Sequence, residues 1–258
     1  MLNKSHTYTT SQIAKIAGIH PNTVRKYEEW GLIQKPPRKK NGYRVFSDIH
    51  IKQFELAKKA FQIEVLQAGL RKLIVNAVKL SASCRFDEAI ESVQKYIRIA
   101  EQEKQNAHEA AGLCETLYKQ PAENSTFYKR AQAAKELGLT IDTIRNWEMN
   151  GLLTVKRREN GYRIYDSNDM NRLKIIRSLR CAGYSLSAIL RMLNKLEYQQ
   201  HKSEKDILNI LNTPADEDDI ITACDALTVS LEAAIKNAHE VTRLLEEIKE
   251  MKITNPPL

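Results

Sequence analysis

Apolar residues near the start of the chain recur every three or four positions, which is the spacing of one face of a helix. Ile13, Ala14 and Ala17 share such a face. Ser11 is the predicted N-cap, and Gly18 is the residue expected to end the helix in a left-handed conformation. The pattern therefore predicts a short amphipathic helix between these two residues.

A second short helix is predicted directly after the first. Pro21 suits the first turn of a helix, because its missing N–H would have no partner there. The helical spacing continues to Trp30, and Gly31 follows as a stop. Two short helices joined by a glycine turn are typical of a helix-turn-helix.

A basic hairpin is predicted next. Asn41-Gly42 stands between the basic run 35–40 and the strand-like residues 43–46, and Asn-Gly before a strand favours a tight β-turn. The segment therefore resembles a winged helix whose wing is basic. Further helices are predicted at 48–61 and at about 65–79.

The whole pattern occurs twice. Residues 128–165 repeat residues 8–46 at an offset of 120, which becomes 119 where one residue drops out before the second Asn-Gly. Two more helices are predicted after the second copy, at about 167–181 and 185–196. A duplication that keeps helix, turn and basic hairpin in order indicates a two-headed nucleic-acid binder.

Each repeat is followed by a heptad pattern, at 90–118 and at 220–252. A 3.5-residue period sustained over four heptads predicts a coiled coil, and a long helix packed on its own domain is the alternative. Pairing residues whose numbers sum to 338, such as Ile90 with Ile248, gives matching layers in antiparallel order. The two coil helices are therefore expected to pair within one chain, with a homodimer as the alternative.

These elements predict a mainly α fold with two winged helix-turn-helix domains, each followed by a long coiled-coil helix. The predicted segments are 1–80 (first domain), 81–120 (coil helix), 121–127 (linker), 128–200 (second domain) and 201–258 (acidic linker and second coil helix).

The charge is segregated in the same way. Residues 1–80 hold 15 Lys and Arg against 5 Asp and Glu, and residues 121–200 hold 14 against 8. The segments that follow each repeat, 81–120 and 201–258, are acidic, so the total of +8 understates the charge on the repeats. A basic bias confined to particular modules is typical of phosphate binding.

Other classes of function find little support in the sequence. The start MLNKSHTYTT has no apolar run that could serve as a secretory signal, and no stretch approaches about 20 consecutive apolar residues. No Walker loop, HExxH or GxSxG motif is present. We therefore expect a cytoplasmic, nucleoid-associated protein that is not an enzyme, has no cofactor and does not bind membranes.

Four scattered cysteines without a CxxC pair predict reduced thiols and no metal site. The antiparallel register sets Cys114 opposite Cys224 in one coil layer. Small apolar packing is the preferred interpretation of this pair, and a thiol sensor is the alternative.

The repeats resemble the MerR (mercury-resistance-regulator) family of bacterial transcription regulators. The matching residues are Tyr8–Ala14, Thr23–Glu28, Gly31–Ile33 and Asn41–Phe46, with Thr143–Glu148, Gly151–Leu153, Gly161–Tyr165 and Ala182–Leu186 in the second copy. The resemblance implies a protein that dimerises through an antiparallel coil, binds a near-palindromic promoter element in double-stranded DNA and distorts it. RNA polymerase is a further candidate partner.

The chain departs from the family pattern in two respects. It carries two modules where members usually carry one, and Lys26 and Asn146 stand where an aromatic residue commonly follows the recognition-helix arginine. The half-sites can also differ, because the recognition helices carry different side chains: His20, Asn22, Thr23 and Lys26 against Thr140, Asp142, Thr143 and Asn146. An architectural DNA binder or a recombination accessory factor with the same winged helix is the alternative function.

Recognition helices enter the major groove by their N-terminal residues. The roles of two pairs of residues stay open. Arg25 and Arg145 could read guanine edges or clamp phosphates, with the family resemblance favouring phosphates and a salt bridge to a nearby carboxylate as the alternative. Tyr27 and Trp147 could equally contact DNA or belong to the core. The recognition-helix candidates are Asn22, Thr23, Arg25, Lys26, Tyr27, Thr143, Arg145, Asn146 and Trp147. The expected backbone contacts of the wings are Arg38, Lys39, Lys40, Tyr43, Arg44, Lys156, Arg157, Arg158, Tyr162 and Arg163.

Overall fold

The computed structural model describes residues 6–62, 70–119, 127–156, 161, 163–197, 203–214 and 223–254. These residues are mainly helical, with two small antiparallel sheets. The chain divides into two compact units. The first joins Met1–Glu101 with Glu232–Leu258, and the second is Gln102–Leu231.

The elements of the first repeat and its long helix are β1 (Thr7–Tyr8), α1 (Thr10–Ala17), α2 (Pro21–Glu29), β2 (Phe46–Ser47), α3 (Asp48–Phe61), α4 (Leu70–Ala82) and α5 (Phe86–Lys119). Those of the second are β3 (Tyr128–Lys129), α6 (Arg130–Glu136), α7 (Ile141–Met149), β4 (Ile164–Tyr165), α8 (Ser167–Cys181), α9 (Leu186–Glu197), α10 (Glu204–Leu211), a 3-10 turn (Ala223–Asp225) and α11 (Leu227–Thr254).

Helix α1 begins two residues earlier than the sequence pattern suggested. Thr9 is its N-cap: the Thr9 Oγ1 accepts from the Gln12 N–H at 3.4 Å, and the Gln12 Oε1 accepts from the Thr9 N–H at 2.8 Å. The prediction of Ser11 as the N-cap is wrong, because this reciprocal capping box satisfies the backbone donors of Thr9 and Gln12 with Thr9 as the cap.

The core of the first module lies where the helix-turn-helix meets β2 and α3. A short antiparallel pairing of β1 with β2 holds the chain start beside Phe46. The buried cluster consists of Ile13, Ala14, Val24, Ile33, Phe46 and Phe54. Burial of these six apolar side chains in one cluster stabilises the packing of α1 against α2.

The second module buries the equivalent positions. β3 pairs with β4 as β1 pairs with β2, so Tyr128 lies opposite Tyr165. The residues that correspond to the first cluster are all 5% exposed or less: Ala133, Ala134, Ile144, Leu153, Tyr165 and Leu173. The duplication in sequence is therefore a duplication of the core.

The helices after each hairpin agree closely with the periodicity. Helix α3 covers the predicted 48–61, and α8 covers the predicted 167–181. Helix α4 begins at Leu70, and the earlier part of the predicted 65–79 lies outside the described residues.

The second heptad helix starts later than predicted. Helix α11 begins at Leu227, so Cys224 lies in the preceding 3-10 turn and not on the helix. The Cys224 carbonyl accepts from the Ser185 N–H at 3.1 Å, and the Asp225 carbonyl accepts from Arg191 at 3.0 Å. These tertiary hydrogen bonds hold the turn outside the helix, so the prediction that Cys224 occupies a heptad layer is wrong.

Both long helices contribute residues to both units, because the boundaries fall inside α5 and α11. In the first unit, Lys249 of α11 forms an ion pair with Asp87 of α5 at 2.5 Å. Glu247 of α11 pairs with Lys52 of α3 at 3.0 Å. The end of the second repeat's helix thus packs in the compact unit of the first repeat.

In the second unit, the end of α5 contacts the start of α10. His108 Nδ1 lies 3.0 Å from Glu204 Oε1, and the Glu204 N–H donates to Glu115 Oε2 at 2.8 Å. No helix within the described ranges is long and apolar enough to cross a membrane.

Candidate nucleic-acid interface

The second helices of the two helix-turn-helix units, α2 and α7, present matching outward faces. Val24 and Ile144 are fully buried and anchor the inner face of each helix. Because residues three and four apart share a helix face, a single inner anchor fixes which side chains turn outward. Exposed on the two helices are Asn22, Arg25 and Lys26 in α2 and Asp142, Arg145 and Asn146 in α7, with Thr23 and Thr143 half-buried.

The start of each helix is fixed by a side-chain cap. His20 Nδ1 accepts from the Asn22 N–H at 3.2 Å in α2. Thr140 Oγ1 accepts from the Thr143 N–H at 3.0 Å in α7. The first turns are therefore held in place before any ligand arrives.

The two arginines remain available at the surface. Arg25 Nη1 donates to Asn22 Oδ1 at 3.1 Å, which leaves other guanidinium N–H groups unused. Arg145 is exposed at the equivalent position. Neither arginine forms an ion pair with a carboxylate in the part of the chain that the structure describes. Both guanidinium groups therefore keep donors for a ligand.

The aromatic residues of α2 and α7 face inward. Tyr27 stacks on Phe54 with ring centroids 5.5 Å apart and meets Phe61 edge-on at 6.3 Å. Burial raises the pKa of the Tyr27 phenol. Trp147 is 5% exposed. The structure thus gives both rings a position in the core of their modules, where packing orients the helix.

The basic segment of the first repeat forms a hairpin over residues 37–45. The Lys39 N–H donates to the Tyr43 carbonyl at 2.9 Å, and the Val45 N–H donates to the Pro37 carbonyl at 2.8 Å. Gly42 closes the turn with a φ of +83°, which favours glycine. Lys39, Lys40 and Tyr43 are exposed on this hairpin, with Tyr43 70% exposed.

A buried carboxylate ties this hairpin to α2. The Glu28 side chain is 9% exposed and accepts from Arg44 Nε. Arg38 Nη2 lies 3.6 Å from the other Glu28 oxygen, and Arg38 Nη1 donates to the Gly42 carbonyl at 3.4 Å. Arg38 and Arg44, two residues expected to contact the DNA backbone, thus pair with Glu28 of α2, which positions the hairpin relative to that helix.

The second module has the same carboxylate with more partners. The Glu148 side chain is 7% exposed and pairs with Arg163 Nε at 2.8 Å and Arg130 Nη2 at 2.7 Å. The Tyr165 hydroxyl also donates to it. Burial and this hydrogen bond raise the pKa of Tyr165 to about 12. Glu148 therefore joins α7, the start of α6 and β4 in one network.

Both repeats match known family profiles. Residues 9–46 match the profile described as "MerR family regulatory protein". Residues 128–196 match the profile described as "MerR HTH family regulatory protein". Each of the two repeats is therefore a MerR-family module.

Curated HTH-type transcriptional regulators resemble parts of this chain. The HTH-type transcriptional regulator AdhR of Bacillus subtilis is 43% identical over 61 residues, which is 23% of this chain and 44% of AdhR. CueR of Escherichia coli O6:H1 is 40% identical over 53 residues, 20% of this chain and 39% of CueR. ZntR of Escherichia coli K12 is 34% identical over 80 residues, 30% of this chain and 57% of ZntR. The chain thus spans about half the length of these relatives, and no solved structure matches it.

Some of the sequence-predicted site residues lie outside the described residues, namely Arg157, Arg158 and Tyr162. Of the second hairpin, Lys156 is exposed and its carbonyl accepts from the Ile164 N–H at 3.2 Å, as Pro37 does in the first.

The cysteines are free thiols. Cys114 is fully buried, and burial raises the pKa of its thiol to about 12. Among the described side chains, no group of three or more His, Cys, Asp or Glu is arranged to hold a metal ion. Cys114 has the surroundings of a packing residue, not of a reactive thiolate.

The roles of Glu28 and Glu148 were not predicted from the sequence. A signal was present, because both repeats carry a glutamate directly after the inward aromatic residue, at an offset of 120. Helix α10 was also not predicted from the sequence. Helix α10 lies in the segment predicted as an acidic linker, although Ser203 and Asp206 form a capping box ahead of Ile207, Ile210 and Leu211.

Proposed function

We propose that the chain is a transcription regulator that binds double-stranded DNA with both of its MerR-family modules. The observation that carries this proposal is the equivalence of α2 and α7. Both expose an arginine, Arg25 or Arg145, on a helix whose start is capped and whose inner face is buried. Relatives named as transcriptional regulators match 61 and 80 residues of the chain.

In this proposal, α2 and α7 enter the major groove and bring their N-terminal side chains to base edges. Tyr27 and Trp147 act from the core by orienting these helices. Thr23 and Thr143 occupy equivalent positions in the first turn, so they contribute the same contact in each half-site.

The hairpins act as wings on the phosphate backbone. Lys39, Lys40 and Tyr43 project from the first hairpin, and the Glu28 ion pair holds that hairpin beside α2. Arg44 and Arg163 use Nε for the buried glutamate and keep other N–H groups for phosphate. Phosphate contacts of this kind supply affinity and salt dependence more than sequence discrimination.

The two long helices pair as an antiparallel coiled coil within one chain, so that a monomer presents two heads. The composition of the first compact unit supports this pairing, because it includes the end of α11. The ion pair of Lys249 with Asp87 fits the predicted register, since Lys249 follows Ile248 and Asp87 lies one turn before Ile90. Sedimentation equilibrium should find a folded monomer, and an obligate dimer at low micromolar concentration would contradict intrachain pairing.

Genome-wide footprinting at base resolution tests the regulatory function. We expect protected sites confined to promoters, because a regulator acts where RNA polymerase binds. Protection spread broadly over the chromosome would instead support an architectural protein built on the same modules. The Arg25→Ala, Arg145→Ala double variant serves as the control, since it should lose the discrete sites while keeping both folded cores.

A further inference from the structure

The outward faces of α2 and α7 differ in hydrogen-bonding chemistry at one position of the first turn. Asn22 and Asp142 occupy equivalent places and are both exposed. The neighbouring residue is threonine in both modules, and the arginine three residues on is also shared. In side-chain hydrogen bonding, the first turns therefore differ by an amide against a carboxylate, beside the apolar change from Pro21 to the exposed Ile141.

The first module presents donors at this position. Asn22 Oδ1 already accepts from Arg25 Nη1 at 3.1 Å, so the outward groups are the Asn22 amide N–H₂ and the remaining guanidinium N–H groups. The exposed ammonium of Lys26 lies on the following turn. In the major groove, guanine presents two acceptors, N7 and O6, to such donors.

The second module presents an acceptor. An ionised Asp142 has no N–H or O–H to donate, and it forms no ion pair with Arg145 in the described part of the chain. The Asn146 side chain is engaged toward the C-terminal end of α7, where its Oδ1 accepts from Asn150 Nδ2 at 3.3 Å. A carboxylate accepts from the cytosine N4 amino group and is repelled by the acceptors of guanine.

We propose, on the basis of the proposed function, that the DNA site is chemically asymmetric and directional. The base facing Asn22 is guanine in the half-site bound by the first module. The corresponding base facing Asp142 is cytosine in the half-site bound by the second module. Identical modules related by a two-fold axis would require a palindrome at this position, whereas two different modules in one chain do not. The chain therefore binds its operator in one orientation.

Asp142 has a competing structural role, because a carboxylate in the first turn of a helix stabilises the positive end of the helix dipole. The two roles make different predictions. Replacing Asp142 alters the selected DNA sequence if the carboxylate reads a base, and alters only stability if it acts on the helix.

The test is selection from a duplex library with about 30 randomised base pairs, using the full chain. The wild type should enrich a motif whose halves differ at one position when each is read on its own strand. Asp142→Asn should change the base selected at that position in the second module's half-site from cytosine toward guanine. The preference for cytosine there should fall roughly five- to hundredfold. Asn22→Asp should change the opposite half. Glu136→Gln, which removes an exposed carboxylate from α6, is the matched control and should leave the motif unchanged.

Two outcomes would overturn the inference while leaving DNA binding intact. One is a wild-type motif that is palindromic at every enriched position. The other is an Asp142→Asn protein that selects the wild-type motif, whether or not its melting temperature falls. Failure of the wild type to enrich any duplex would instead refute the proposed function itself.

Discussion

Replacing Glu148 by Gln should destabilise the second module and leave the first unaffected. The carboxylate is 7% exposed and lies between Arg130 at 2.7 Å and Arg163 at 2.8 Å, with the Tyr165 hydroxyl as a third donor. Glutamine keeps the shape but loses the charge, so two guanidinium groups lose an ionic partner.

The size of the effect follows from the exposure of the partners. Breaking a buried ion pair costs about 3–5 kcal/mol, and pairs at the surface contribute about 1 kcal/mol or less. Arg130 is 22% exposed and Arg163 is 35% exposed in their side chains, so solvent screens the second pair more than the first. We expect a loss of about 2–4 kcal/mol in the free energy of unfolding of this module.

The assay is urea unfolding of the full chain in a Trp30→Phe background. The chain has two tryptophans, and Trp30 is 55% exposed whereas Trp147 is 5% exposed. Trp147 fluorescence then reports the second module alone. Glu28→Gln is the matched control, because it makes the same change in the other module. A shift of less than about 0.5 kcal/mol for Glu148→Gln, which is what ordinary surface substitutions produce, would refute the role given to this network.

Four further predictions follow from the same geometry. Arg25→Ala and Arg145→Ala should each weaken duplex binding by about 1–3 kcal/mol in fluorescence anisotropy, and unchanged affinity in both would remove α2 and α7 from the interface. Affinity should fall by roughly 10³–10⁵ between 50 and 200 mM salt if about 6–10 phosphates are contacted, and a flat response would exclude the wings as backbone clamps. His50 is 4% exposed, and burial lowers its pKa to about 4. Between pH 6.5 and 4 the unfolded chain therefore binds a proton at His50 that the folded chain does not bind, so the free energy of unfolding should fall by about 2 kcal/mol from pH 7.5 to 5. His50→Gln should reduce this loss, as measured by urea unfolding at both pH values. The double variant Cys114→Ala, Cys224→Ala should keep DNA binding and its metal and oxidant responses unaltered, and loss of such a response with normal binding would identify a sensor.

Local signals in the sequence were enough to predict much of the fold. Ser47 and Asp166 each precede a helix with an amphipathic pattern, and α3 and α8 begin directly after them. Where local capping and hydrophobic spacing agree, the boundaries of the element follow from neighbouring residues alone.

Contacts between residues distant in sequence explain what was missed. The heptad spacing continues through Cys224, but the turn there is held by Ser185 and Arg191, which are about 35–40 residues away along the chain. Glu28 and Glu148 are similar cases. From its neighbours in sequence, a glutamate on a short helix is expected to be solvated. In the folded chain it is buried because the hairpin arginine pairs with it.

Hydroxyl-radical footprinting of one selected duplex by the wild type, Arg25→Ala and Arg145→Ala tests the two-headed account most directly. We predict that the wild type protects two half-sites and that each variant loses protection over a different half while retaining the other. Loss of the same half in both variants, or protection of only one half by the wild type, would contradict the claim that one chain reads DNA with two modules.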